Sequence, residues 1–441
     1  MDLPLYVSVI LEKLNDAGFE AFAVGGCVRD SLLNKNPKDY DVTTSAKPDE
    51  IKAVFSGYRV IDTGIKYGTV TVISEGKPIE VTTYRVDGEY NDNRRPKSVT
   101  FTSALEEDLK RRDFTVNAMA FNPRTGLIDL FGGQTDLDKG IIKAIGNPTE
   151  RFNEDGLRIM RALRFPSCYG FKIESKTSAA IHNCRDLLKN IAAERIAAEF
   201  NRLICGTCGY ILREFYDVFS VFIPELYKCV GFEQHTKYHN RDVFEHIIAT
   251  VEAVEPILYL RLAMFFHDIG KPQYFKLDEK GIGHFKGHPL GSRIIAESVL
   301  KRLKYDNETT KKVLTLVENH DIIIENRDKL IKRYLCRYGE AMLKDIVAVH
   351  IADDKGKSPK YQNRIETYNL VIKRIDEIVA EGECISLKKL AVNGNDIKKL
   401  GFSGEEIGII LNKLLDMVIE EKCENKKDKL LLEAENWRCG N

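Results

Sequence analysis

Apolar positions in the first 145 residues follow two different periods. The stretch "LYVSVILEKLNDAG" repeats its apolar residues at helical spacing and stops at Gly18, which predicts an amphipathic helix. β-Branched runs follow in "FEAFAVGG", "DYDVTT", "GTVTVISEGKPIEVTTYR" and "VNAMAFNPRTGLIDLFGG", punctuated by Gly, Asn-Pro and Glu-Gly turns. From about Asn147 onward the strand pattern fades and helical spacing takes over. The expectation is an α/β N-terminal domain followed by an all-helical remainder, without internal repeats or low-complexity linkers.

Bulk properties narrow the class without choosing a function. At ~100–200 residues per domain, a chain of 441 residues holds two to four domains. Its 43% hydrophobic and 30% charged residues are those of a soluble globular protein. Formal net charge is zero, so no global basic field marks a nucleic-acid partner. Locally, residues 141–203 carry 11 Lys and Arg against 7 Asp and Glu, an excess of +4 that suits an RNA helix read by shape. The start, "MDLPLYVSVI", has no basic leader, and no run approaches the ~20 apolar residues of a membrane span. Ten scattered cysteines fit a reducing cytoplasm. Cys205 and Cys208 have metal-ligand spacing in "CGTC", but without a second pair they are weak evidence for zinc.

Candidate chemistry begins at "NPKDYDVTT". In an extended chain residues two apart share a face, so Asp39 and Asp41 aim their carboxylates together, which calls for a cation between them. Upstream, "AVGGCVRDSLL" ends a strand in Gly25-Gly26 and opens a helix, a turn that lets backbone N–H groups approach a phosphate, with Arg29 one helical turn on. A phosphate cradle plus paired carboxylates suits Mg²⁺-dependent phosphoryl transfer. Glu80, in the strand-like "PIEVTTYR", is a candidate third carboxylate or a solvated edge charge. Arg112, in "KRRDFTVNAMA", stands before a buried-looking strand and is suited to bidentate phosphate contact.

"NEDGLRIMRALRF" reads as a helix on which Asp155 and Arg158 share a face, with Arg161 and Arg164 extending the stripe. A surface ion pair is the plain alternative. Side by side, an acceptor-only Asp and a donor-only Arg match the pairing edges of cytosine and adenine and mismatch those of guanine and uracil.

Histidine is concentrated late: eight of nine lie between His235 and His350. In the order His246, His267-Asp268, His288, His320, Asp353, they offer imidazole and carboxylate ligands suited to Mn²⁺, Fe, Ni²⁺ or Mg²⁺. His284 and His350 fit no ligand role in that spacing. A degenerate helical spacer is the competing reading.

These motifs carry a resemblance. "VGGCVRDSLL…DYDVTT", "YNDNRRPKSVTFTSALEEDLKRRDFTVNAMAF", "LIDLFGGQTDL", "RFNEDGLRIMRALRF" and "AAERIAAEF" resemble the ordered motifs of class II tRNA nucleotidyltransferases, a family of CCA-adding enzymes and bacterial poly(A) polymerases, over roughly residues 5–205. "HDIGKP" and the H…HD…H…H…D order resemble the HD phosphohydrolase superfamily. The resemblance implies an α+β fold, with a polymerase β-like mixed-sheet head at 1–145 and a base-recognising helical neck at 146–222. An HD-type helical domain at 223–355 and a tRNA-binding tail at 356–441 would follow. It implies Mg²⁺ on Asp39 and Asp41, triphosphate on Gly26 and Arg29, and nucleotide contacts from Arg112, Asp155, Arg158, Arg161 and Arg164. The implied partners are tRNA, CTP and ATP. "EYNDNRRPKSV" resembles the family's flexible loop, which favours terminal A addition. Ala192 stands where many members carry Ser, a lost helix cap. "LAVNGNDIKKLGFSGEEIGIILNKLLDMV" resembles the family's tail, whose Gly-bounded helices would offer N–H groups to phosphates. Rival readings are a poly(A) or A-only polymerase, an HD phosphohydrolase with an RNA-binding N-terminal module, and a silent RNA-binding regulator.

Overall fold

A computed structural model describes residues 1–88, 97–383 and 386–439. The flexible-loop resemblance falls largely on 89–96, outside the described residues. The chain divides into two compact units. One is Met1–Tyr227 with Arg302–Lys304, and the other is Lys228–Lys301 with the chain from Tyr305 on.

The first unit opens with helix α1 (Leu5–Asp16), whose Val7, Ile10, Leu11 and Leu14 recur at helical spacing and are buried. A seven-stranded mixed sheet follows: β1 (Ala21–Val24), β2 (Asp41–Thr44), β3 (Arg59–Gly64), β4 (Thr69–Ser74), β5 (Lys77–Thr83), β8 (Met119–Asn122) and β9 (Gly126–Asp129). A separate pair, β6 (Arg85–Asp87) and β7 (Val99–Phe101), flanks the undescribed segment. Sheet order is β3-β4-β5-β2-β1-β8-β9, and only β2 and β5 run parallel. The β4–β5 hairpin turns at Glu75 and Gly76, both with positive φ (48° and 73°), the conformation two-residue hairpin turns demand.

Helices α2 (Gly26–Leu32), α3 (Pro48–Val54), α4 (Leu105–Lys110) and α5 (Gly133–Asp138) link the strands. The chain then continues through α6 (Pro148–Glu154), α7 (Leu157–Tyr169), α8 (Ser175–Cys184) and α9 (Ala193–Ile204). Ala192 caps α9 without a side-chain bond, as the lost Ser implies.

The remainder is largely helical rather than all-helical. Ile141–Ile142 pairs with Lys172–Ile173, and in the second unit Lys276–Leu277 pairs with Gly283–His284. The turn of that hairpin is held by Asp278, whose carboxylate accepts from the Lys280 and Ile282 amides. The second unit's tail corrects one expectation. The helix Gly394–Lys399 has its N-terminal amides taken by the Asn393 side chain in a capping box, so that end offers little to a phosphate. Its neighbour Glu405–Ile419 starts after Gly404 (φ 58°) with no side-chain cap.

Candidate functional site

β2 pairs with β1 on one side and β5 on the other, which sets Asp41 opposite Val24 and opposite Glu80. Parallel pairing in this register points Asp41 and Glu80 to one face of the sheet. Asp39 precedes the strand, so only Asp41 belongs to it. The surrounding protein raises the Asp41 carboxyl above its usual range; Arg112 opposes this and Asp39 adds to it. Loss of water, then Asp41 and Asp39, raise Glu80 in the same way. Asp39, Asp41 and Glu80 offer oxygen donors of the kind a divalent cation takes.

Gly25 makes the turn above them at φ 82° and ψ −129°, a region essentially reserved for glycine. A Cβ there would lie 3.1 Å from Arg112 Nη1, so the arginine packs directly on the bare turn. Asp108, fully buried on α4, orients that arginine: it accepts from Arg111, Arg112 and the Thr43 hydroxyl. Burial alone would raise Asp108, but Arg112 and Arg111 outweigh it and hold the carboxyl below its usual range.

Arg29 is buried between the rings of Phe165 and Tyr169, with its guanidinium carbon 4.9 Å from each centroid. It donates to Asn117 Oδ1 (2.5 Å), to Asp30 Oδ1 from Nε and Nη2, and to the Tyr169 hydroxyl (2.9 Å). Asn117 in turn donates to Asp113, which also binds Arg161 at 2.7 Å. Most of Arg29's five N–H groups are therefore spent on the protein, which fixes its place beside the glycine turn.

The largest departure from expectation is at Asp155. It lies outside any helix, at φ −137° and ψ 103°, in the break between α6 and α7. Gly156 follows in helical conformation and is closely packed: a Cβ there would press on Leu187 at 3.2 Å and Ile191 at 3.3 Å. Asp155 and Arg158 are not paired with each other. Asp155 Oδ1 accepts from the Leu157 amide and Oδ2 sits 3.3 Å from Arg195, while Arg158 donates to Glu154 (2.5 Å) and to the Arg111 and Arg151 carbonyls. The arginine stripe is also compensated residue by residue: Arg158 by Glu154, Arg161 by Asp113 and Arg164 by Glu199.

A cavity of about 900 Å³ collects Gly26, Arg29, Asp39, Asp41, Arg112, Asp155, Arg158, Arg161 and Arg164. Asp155 and Arg158 also line an adjoining cavity of about 680 Å³, with Glu80 and Arg111. Sequence reasoning missed Asp108, Asn117, Glu154, Arg195 and Glu199, which hold the others in place; only Glu154, four residues before Arg158, carried a local signal.

In the second unit His246, His267, Asp268, His288, His320 and Asp353 converge. One group is His246, His267, Asp268 and Asp353; the other is Asp268, His288 and His320, and in each the ligand atoms lie within 4.8 Å of one another. His267, His288 and His320 point Nδ1 at the carbonyls of Met264, Phe285 and Val317, at 2.7 to 2.9 Å. Those bonds put the proton on Nδ1 and leave an Nε2 lone pair facing inward. The inward nitrogens face each other, His246 to His267 at 3.3 Å and His288 to His320 at 3.1 Å. With the carboxylates of Asp268 and Asp353 beside them, these nitrogens form a mixed imidazole and carboxylate donor set suited to divalent cations. Asp268 serves both groups: Oδ2 is 3.3 and 3.2 Å from His246 and His267, and Oδ1 is 3.2 and 3.6 Å from His288 and His320. His350 is buried outside the group, beside Tyr368, and His284 is paired with Asp278. Cys205 and Cys208 join no metal-ligand group among the described residues.

Three family models match the chain. The family described as the poly A polymerase head domain matches residues 21–143. The probable RNA and SrmB-binding site of polymerase A matches 170–228, and a putative tRNA nucleotidyltransferase domain 2 matches 291–434. Fold and site thus define a nucleotidyltransferase of the poly A polymerase type, a class that uses divalent metal. The CCA-adding enzyme of Pediococcus pentosaceus is 36% identical over 425 residues, 96% of this chain and 95% of that protein. That of Lactobacillus helveticus is 34% identical over 432 residues, 96% of this chain and 94% of that protein. The structure of the Bacillus stearothermophilus CCA-adding enzyme in complex with CTP superposes with a TM-score of 0.72 at 26% identity, covering 100% of this chain and 99% of that one. The chain belongs to the family of CCA-adding enzymes. Among the described residues no helix is long and apolar enough to cross a membrane.

Proposed function

We infer that this chain adds C, C and A to the 3′ end of tRNA in the cytoplasm, using CTP and ATP without a nucleic-acid template. The observation that carries this reading is the shared cavity: Asp155 and Arg158, each anchored by its own partner, line the same space as Asp39 and Asp41. An acceptor beside a donor accepts the pairing edges of cytosine and adenine and repels those of guanine and uracil. Rigid anchoring makes the pair act as a template base, because neither side chain must be ordered when the nucleotide arrives.

The tRNA terminal hydroxyl forms its bond to the α-phosphorus as the bond to pyrophosphate breaks, and the hydroxyl proton is released. Mg²⁺ held by Asp39 and Asp41, with Glu80 alongside, supplies charge neutralisation at the transferring phosphate when bound. Arg112 and Arg161 face the triphosphate from the cavity wall, and Gly26 lets the chain approach it closely. Arg29, buried and already paired, contributes chiefly by holding α2 to α7 through Tyr169, and Arg164 by holding α7 to α9 through Glu199.

Single-nucleotide incorporation on tRNA lacking its last three residues tests the reading. CTP should be used first and ATP once, after two C additions. Long runs of A without CTP use would instead indicate a poly(A) polymerase. Asp39→Ala and Asp41→Ala should each lower incorporation by roughly 10²–10⁴-fold, the loss of several kcal/mol of transition-state stabilisation.

The inward-facing imidazoles favour a second activity. We propose that two divalent ions, sharing Asp268, fit between the histidine pairs, and that this centre hydrolyses phosphate esters. Metal analysis of the purified chain, with and without His246→Ala, tests it: stoichiometry near zero in the parent protein would refute it.

A further inference from the structure

The last turns of α7 reach α2 through alternating rings and cations. Phe165 and Tyr169, four residues apart, share one helix face. The Arg29 guanidinium lies over both rings, the Arg164 guanidinium carbon is 4.1 Å from the Phe165 centroid, and Lys35 Nζ is 4.2 Å from that of Tyr169. Tyr169 thus takes two cations from the α2 segment, Arg29 on the helix and Lys35 in the loop behind it. Phe171 backs the same ring at a centroid distance of 5.6 Å.

The hydroxyl adds a polar lock to this stack. It accepts from Arg29 Nη2 at 2.9 Å and donates to Asp30 Oδ1 at 2.9 Å. That oxygen also accepts from Arg29 Nε at 2.9 Å and Nη2 at 2.8 Å, so the three side chains close a ring of hydrogen bonds. Each of these bonds has an ionised partner, which makes it stronger than a neutral one. Burial raises the Tyr169 pKa, Arg29 opposes this and Asp30 adds to it, so the proton stays on the oxygen at neutral pH.

Two routes join α7 to Arg29. Arg161 reaches it through Asp113 and Asn117, and Tyr169 touches it directly. Arg29 lies one helical turn beyond Gly26, where α2 begins, and β1 before the glycine turn sets Val24 opposite Asp41. A shift of α2 is felt at the phosphate turn and at the strand beside the metal carboxylates. In-line transfer tolerates little of that, because the reacting atoms must be held ~3–3.5 Å apart.

We propose that Tyr169 is a positioning residue for nucleotidyl transfer: its hydroxyl locks Arg29 and Asp30, so that the phosphate turn keeps one register with α7. It acts through Arg29, without touching the nucleotide or the tRNA. The proposal rests on the nucleotidyl-transfer reading of the cavity.

Tyr169→Phe in the full chain removes the hydroxyl and keeps the ring for both cations. Incorporation of CTP, and of ATP on tRNA ending in CC, is read as kcat and KM beside thermal melting. The expected result is a roughly tenfold fall in kcat/KM for CTP and ATP alike, the worth of about one hydrogen bond to a charged group. KM for tRNA should not move, and the melting temperature should change by no more than about 2 °C, since Arg29 and Asp30 keep each other. In an Arg29→Lys background, whose single ammonium cannot bridge Asn117 and Tyr169 together, the same substitution should cost almost nothing further. Phe171→Leu is the packing control: it loosens the same ring, so it should lower the melting temperature and leave kcat/KM near the parent value. Parent-level kcat/KM in Tyr169→Phe, or a fall reproduced by Phe171→Leu, would overturn the proposal. Unequal losses for CTP and ATP, or full additivity with Arg29→Lys, would overturn it too and make Tyr169 a direct nucleotide contact. A parent chain that incorporates neither nucleotide would sink the transfer reading itself, and the proposal with it.

Discussion

Arg195→Met tests whether Asp155, in its proposed base-reading role, depends on being held in place. Arg195 lies on α9, 40 residues beyond Asp155, with Nη2 3.3 Å from Oδ2. At that distance, with an effective permittivity of about 20, the direct attraction is roughly 5 kcal/mol. The side chains are 28% and 18% exposed, so screening and ordering leave about 1 kcal/mol of net worth. The upper limit is the whole charged hydrogen bond that Asp155 would make to a base amino group, about 1.5–3 kcal/mol. Methionine keeps most of the arginine stem's packing while removing the charge. Discrimination of CTP over UTP should therefore fall by roughly 5- to 100-fold, with overall stability changed by no more than about 1 kcal/mol.

The assay is single-turnover incorporation of CTP and UTP, each as kcat/KM, on tRNA lacking its 3′ end. Asp155→Asn is the second corner of a double-mutant cycle. If Arg195 acts through Asp155, adding Arg195→Met to Asp155→Asn should cost almost nothing further in selectivity. An unchanged CTP:UTP ratio in the single variant, or a fully additive double variant, would refute the reasoning.

Gly25→Ala should cost ~1–3 kcal/mol from its backbone conformation alone and raise KM for CTP, because the new methyl group displaces Arg112; melting and steady-state kinetics check both. Gly356→Ala places a Cβ 2.5 Å from Thr250 Cγ2 and 2.8 Å from His246 Cε1, so it should destabilise by ~1–3 kcal/mol and lower divalent-ion stoichiometry, while CTP incorporation persists. Asp108 and Asp113 are held below the usual carboxyl range by Arg112 and Arg161 against the opposing effect of burial. A depressed folded-state value stabilises above the unfolded value of ~3.9 and is lost as pH falls through the folded value, so Asp108→Asn should flatten the acid limb of a stability–pH profile below about pH 4.

How far each of these residues was readable from the chain depends on the sequence distance of its partner. β1, β2, the β4–β5 hairpin and the β8–β9 hairpin follow from alternation and from turns such as Glu75-Gly76, all of them local. Edge strand β3, with only half-buried and exposed residues, has no such alternation and was not foreseen. The aspartates of "DYDVTT" were visible as chemistry, but Glu80 became their neighbour only through the parallel β2–β5 pairing, a crossover that periodicity does not encode. Asp155 was misread for the same reason. "NEDGLRIMRALRF" fits helical spacing throughout, while the Asp155 partner Arg195 and the Leu187 and Ile191 side chains against Gly156 lie more than 30 residues away.

That break changes what the Asp–Arg pair can do. On one continuous helix, residues three apart would satisfy each other, and an Asp155–Arg158 ion pair would have to open before either could meet a base. Asp155 is instead held in the interhelical turn by Arg195 and Arg158 is clamped by Glu154 and two carbonyls, both on the wall of the same cavity. The same logic governs the histidines: Nδ1 bonds to carbonyls three residues back spend one ring nitrogen so that the other faces inward unsatisfied. For these three histidines one bond on the outer side fixes the ring and leaves the other nitrogen for a ligand.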